Sequence, residues 1–210
     1  MRFTPSVILL VLANLLPVAG VIWWGWSVFT VMLLFWLENV IVGILNIPRI
    51  VFASGTDDSR KYSVFSRVFT AAFFTVHYGL FTFVHGAFVF SMFGGEGYRE
   101  PSPHQVWQLI IEQQLYWAVA ALLISHLASL LLNYFVAGEY RTATVKQMMR
   151  KPYGRIVVLH MGIIFGGILL DILSAPLAGL VVLLLIKNIF DVRSHIREHQ
   201  SLAVTAPALS

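Results

Sequence analysis

The chain reads as long apolar runs separated by short polar segments. Six runs can be marked, near residues 5–23, 27–50, 65–92, 107–135, 155–173 and 176–193. Each can cross an apolar slab of about 30 Å, which takes ~20 helical residues. In hydrocarbon every backbone amide needs an internal partner, so each run is expected to be a helix. The first contains Pro17 and ends in VAGVIWWGWS, which suits a short or broken helix. A secretory signal is its rival reading, with Arg2 as the charged start and ILLVLANLL as the core. No A-x-A cleavage pattern follows, so a retained helix is expected.

Polar residues recur inside these runs, and a turn of about 100° per residue shows which of them share a face. The second run, FWLENVIVGILN, carries Glu38 near its middle, with Asn39 and Asn46 on an adjacent stripe. The third, FFTVHYGLFTFVHG, carries His77, and His85 lies about 80° round and ~12 Å further outward. Gly79 and Gly86 form a separate smooth strip that another helix could approach. The fourth run places Glu112, His126 and Asn133 in one sector, and the fifth aligns Tyr153, His160, Gly167 and Asp171. Gly162 and Gly166 make a small-xxx-small pair, an expected helix contact and a route to a homo-oligomer. The sixth run has Lys187 and Asp191 four apart. Sorted by depth, Glu38 and His77 fall near the midplane. His126 and His160 lie about one helical turn toward the cytoplasm, and His85, Glu112 and Asp171 form an outer layer.

Composition supports the membrane reading. Hydrophobic residues make up 58% and charged residues 11%, and the mean hydropathy is +0.80. A soluble domain is roughly 25% charged, so a water-soluble globule is excluded. So is disorder, which needs low hydrophobicity. There are no cysteines, which removes disulfides, thiolate metal sites and a cysteine nucleophile. A net charge of +4 could suggest nucleic acid, but the basic residues are placed otherwise. Thirteen of the fourteen Lys and Arg residues fall at Arg2, in loops 48–67 and 136–155, or from Lys187 onward; Arg99 is the exception. With six spans these regions share one face, which the positive-inside rule makes cytoplasmic. Both termini are then cytoplasmic, in an inner membrane, and the basic surplus attracts anionic lipid heads.

Aromatic residues agree, with Trp23, Trp24, Trp26 and Trp107 near the outer boundary and Tyr62, Tyr140 and Tyr153 near the inner one. The stretch TVKQMMRK reads either as a surface helix with Val145, Met148 and Met149 toward lipid or as a solvated loop. Residues 1–199 form one domain, and 200–210 are expected to be a disordered tail.

Ionisable groups inside a bilayer are expensive and lean functional. Three histidines and a carboxylate suit a divalent metal, zinc first. His77, His126 and His160 are the candidate ligands, and Glu38 is the fourth ligand or the general base beside a zinc-bound water of pKa about 7. No HExxH occurs, and no histidine pair spaced i, i+4. The plain alternative is three separate histidines, each hydrogen-bonded to its own core partner. Haem between His126 and His160 is a variant ranked below a metal ion. A second class is a proton pathway through Glu38, His77, Asp171 and Lys187, although Lys187 reads more simply as snorkelling or paired with Asp191. Nucleophilic catalysis has weak support: Ser125 and His126 are adjacent and point about 100° apart, and no GxSxG is present.

The segments FWLENVIVGILN, VHYGLFTFVHG, LLLNYFVAGEYR, PYGRIVVLHMGIIFGG and LLIKNIFDVRSHIREH resemble those of a prokaryotic multi-span membrane-protein family of unknown function, over about residues 8–199. The resemblance implies an all-helical protein that crosses the membrane several times, and it brings no activity. Its motifs include Glu38, Asn39, His77, His85, His160 and Lys187 as they stand here. The expectation is therefore all-α, a polytopic bundle of six transmembrane helices. The expected function is a membrane-embedded metal-dependent enzyme acting on a lipid-like substrate. A proton-coupled transporter or channel, and a structural partner in a membrane complex, are the alternatives.

Overall fold

The computed structural model describes residues 17, 19–56, 62–98 and 102–173. Most of the first expected span, the whole sixth span with Lys187 and Asp191, and the tail lie outside the described residues. The surroundings of Gly166 and the side chain of Asp171 do too.

All described secondary structure is helical. Helix α1 (Val28–Phe52) starts at Ser27, whose side chain accepts from the Thr30 amide. Pro48 lies in its last turns, and Arg49 is the basic residue there, where a cation complements the helix dipole. Helix α2 (Val64–Phe93) is capped by Ser63. Helix α3 (Pro103–Glu112) begins in a Ser102–Gln105 capping box with proline at the first turn. Helix α4 (Tyr116–Ala128) runs on into a π-helical stretch, Ser129–Val136. Helix α5 (Val145–Arg150) has its own capping box, Thr144 with Gln147. Helix α6 is Tyr153–Leu173. Three of the described helices are long and apolar enough to cross a membrane: Val28–Phe52, Val64–Phe93 and Tyr116–Val136.

Helix α1 is the axis of the bundle. It packs against α2, α4, α5 and α6. Val31, Met32, Leu33 and Leu34 are consecutive and all fully buried, so this turn of the helix is enclosed on every side rather than along one stripe. Two glycines let α2 come close. A Cβ on Gly43 would stand 2.6 Å from the Tyr78 ring, and one on Gly86 would stand 2.7 Å from Nε1 of Trp36. Trp36 Nε1 donates to the Thr82 carbonyl at 2.8 Å, which fixes the same contact. Of the two glycines expected to form a smooth strip, Gly86 makes the contact. A Cβ on Gly79 would meet nothing within 4 Å.

Three expectations need correction. The fourth run is not one helix. Its polar Glu112–Gln114 stretch breaks it, with Gln114 at φ 54°. The break lets Gln113 turn toward α1, where its carbonyl accepts from Trp26 Nε1 at 3.1 Å and its side chain from Thr30 Oγ1 at 3.3 Å. Trp26 is consequently a core residue, while Trp23 and Trp24 are exposed as expected. The helix expected in TVKQMMRK forms as α5, but its apolar side faces protein. Val145 is buried against Ile50, Ala71, Phe74, Tyr78 and Ile156, with Met148 and Met149 packed alongside.

The glycine contacts give a direct test. Gly86→Ala should overpack the Trp36 contact and cost about 1–3 kcal/mol. Gly79→Ala should be neutral or stabilising, because alanine favours a helix by about 1 kcal/mol over glycine. Melting temperatures of the two variants in detergent check this; equal values would refute the packing assignment.

Candidate functional site

A carboxylate halfway along an apolar helix must find a partner or lose its charge, because desolvation penalises the ionised form. Glu38 lies there, 5% exposed, one turn beyond the fully buried Leu34. Two other helices supply its partners. Nη1 of Arg155, from α6, donates to Glu38 Oε1 at 2.5 Å. Nε2 of His126, from α4, stands 3.3 Å from the same oxygen. The Arg155 and His126 side chains are 25% and 20% exposed, so the site is closed from the α1 side and open toward its partners. Behind it, the Tyr78 hydroxyl donates to the Asn39 carbonyl at 3.2 Å. Asn39 is buried at the back of the site.

The other histidines pair elsewhere. His77 Nδ1 lies 2.7 Å from the Tyr153 hydroxyl. His85 Nε2 lies 3.1 Å from His160 Nδ1, and the two rings meet edge to face. His85 Nδ1 faces the Phe81 carbonyl at 2.7 Å. A carbonyl only accepts, so this nitrogen carries the proton. In the neutral pair His85 Nε2 then accepts, and His160 Nδ1 donates to it. His160 is on the exposed side of α6.

The four side chains expected at one centre are thus divided among three sites. Glu38 and His126 meet, His77 faces Tyr153, and His160 faces His85. Among the described residues no three His, Asp or Glu side chains gather where they could hold a metal ion. His126 and His160, the pair considered for haem, each have another neighbour.

The cause is the axial position of α6. Its first residue, Tyr153, stands beside His77, which is the fourteenth residue of α2. Helix α6 therefore starts near the middle of α2, not at its end. His160 is seven residues past Tyr153, about 10 Å, and His85 is eight past His77, about 12 Å. The shift carries His160 to the His85 level. Gly167 continues the ladder: a Cβ there would stand 2.5 Å from Met92 Cε.

Sequence reasoning misses Arg155 as the partner of Glu38, because it falls in the loop 136–155, and it aligns Tyr153 with His160 without pairing it to His77. The available signal was charge balance, since a carboxylate at the centre of an apolar run calls for a cation. Glu112, exposed at the end of α3, joins none of these sites.

Removing one member of a buried ion pair leaves an uncompensated charge, at a cost of about 3–5 kcal/mol, whereas removing both is often nearly neutral. Arg155→Gln should therefore lower the melting temperature sharply. Adding Glu38→Gln to it should restore most of the loss. Additive losses in the double variant would mean that the two side chains are not coupled.

No curated protein and no solved structure matches the chain. One family model covers it almost end to end, residues 1–208. By that match the chain belongs to a family of unknown function, DUF6498.

Proposed function

We propose that this is a polytopic inner-membrane protein, its basic face cytoplasmic, that couples proton movement to the passage of a solute, with Glu38 as the proton-binding group. The observation that carries this reading is the single oxygen of a buried carboxylate shared between an arginine and a histidine from two different helices.

Such a group has two states. Ionised, Glu38 holds Arg155 and His126. When a proton arrives on Oε1, its attraction for the guanidinium falls and the link between α1 and α6 loosens. Proton binding is thereby tied to a movement of one helix against another, which a coupled carrier needs. His126 fits the role of the group that passes the proton, because its Nε2 stands 3.3 Å from the carboxylate oxygen and its side chain is partly exposed. Buried ion pairs add little net stability, so a purely mechanical clamp accounts poorly for a charge at this depth.

The competing reading, a metal-dependent enzyme built on Glu38, His77, His126 and His160, requires those four to close on one ion. The proton reading uses the pairings as they stand. In vesicles containing the purified protein and a pH-sensitive dye, a panel of amino acids, sugars and inorganic anions should include one that drives proton uptake. Glu38→Gln leaves behind the cation, which is the partly exposed member of the pair, and should abolish that uptake while leaving the protein folded. Flux that survives the change would end the proposal, and stoichiometric zinc in the wild-type protein would favour the enzyme.

A further inference from the structure

Helix α6 starts beside the midpoints of α1 and α2, so the chain that precedes it must climb between those helices. Asn46 marks the height of α5: its side chain donates to the Met148 carbonyl at 2.9 Å, six residues, or about 9 Å, inside the end of α1. At the basic ends of α1 and α2, Phe52, Phe65 and Phe69 project outward, 53%, 79% and 65% exposed. Exposed phenylalanines at those ends belong in hydrocarbon, so the bilayer reaches at least that far. Helix α5 and the start of α6 then lie within its thickness.

Cations sit on this segment. Lys146, Arg150 and Lys151 are exposed, while Val145 on the other side of α5 is buried. Charged side chains at membrane depth face water or protein rather than acyl chains, and irregular backbone there lines protein or an aqueous cavity. Gly154, between Tyr153 and Arg155, is open: a Cβ there would meet nothing within 4 Å.

We propose that residues 143–152 form a re-entrant segment lining a water-filled, cation-lined vestibule, which opens to the cytoplasm and ends at Arg155, and that it receives a small oxyanion. The oxyanion part rests on the proton-coupled reading. A proton on Glu38 weakens its hold on the Arg155 guanidinium, whose several planar donors can then also grip a carboxylate or phosphate group. The anion takes the place the glutamate held, and one proton travels with it.

The chain has no cysteine, so single cysteines report without background. Gly154→Cys is the reporter, with Arg150→Cys as a second. Val76→Cys is the lipid-facing control, because Val76 adjoins His77 at the same depth and is 74% exposed. The probes are membrane-impermeant methanethiosulfonates, one carrying a sulfonate and one a trimethylammonium, added to inside-out vesicles. Both reporters should react, with the anionic reagent favoured about tenfold over its rate ratio with a free thiol, as expected for a cationic cleft that concentrates anions. Val76→Cys should stay unmodified. Changing Lys146, Arg150 and Lys151 to Gln in the Gly154→Cys protein should erase the preference. Unreactive reporters, a reactive control or a preference for the cationic reagent would each overturn the vestibule. Inorganic phosphate should slow labelling of Gly154→Cys several-fold more when Glu38→Gln is also present; equal protection would overturn the oxyanion site. Labelling needs no transport, so loss of the proton-flux reading would leave the vestibule result standing.

Discussion

A negative charge in the middle of the most enclosed helix is the constraint on which the rest of the structure depends. Glu38 follows a stretch of α1 that is buried on all sides, where water cannot stabilise an ion. Its partners must therefore be brought to it. His126 comes from a helix running beside α1 in the same direction. Arg155 comes from the first turn of α6, and that contact, with Tyr153 beside His77, marks how high α6 begins.

The remaining contacts follow from that height. Along α2 and α6 the partners are His77 with Tyr153, His85 with His160, and Met92 with Gly167. The steps are eight and seven residues on one helix, seven and seven on the other. Such spacing is what two nearly parallel helices give when their facing residues repeat about every 3.5 positions. Starting α6 high also decides the fate of the connection before it. Ser54 and Gly55 donate backbone hydrogen bonds to the carbonyls of Tyr140 and Ala143, and Asn46 holds Met148. The loop is thereby fastened along α1 instead of hanging free below it.

The basic end has a second inward-turned cation. Arg49 donates to Ser129 Oγ at 3.2 Å and lies over the Tyr134 ring, while the Tyr134 hydroxyl donates to the Arg49 carbonyl. Both residues belong to the π-helical stretch that ends α4. Side chains on a helix lean toward its N-terminus, so Arg49 reaches back toward the Glu38 level. Charges counted as boundary markers in the sequence thus act in the interior.

Hydropathy alone located the helices over residues 28–52, 64–93 and 153–173 to within a few positions, because apolar run length is a local property. Glu38 was legible for a similar reason, since a lone carboxylate in an apolar run stands out without any knowledge of its neighbours. Rotation along each helix was also readable, at about 100° per residue. The axial offset between helices was not. It arises from contacts between residues more than seventy positions apart, such as His85 with His160 and Glu38 with Arg155. Assuming that every run starts at a membrane surface leaves His160 about one helical turn to the cytoplasmic side of His77, and raising α6 moves it to the His85 level. The break at Gln114 was equally hidden, because the neighbouring Gln113 is held by Trp26 and Thr30 on a distant segment. The sequence by itself determined an apolar, helical chain with one costly acid at its centre. Only the tertiary structure decided which cation answers it, because that pairing depends on how far one helix slides along another.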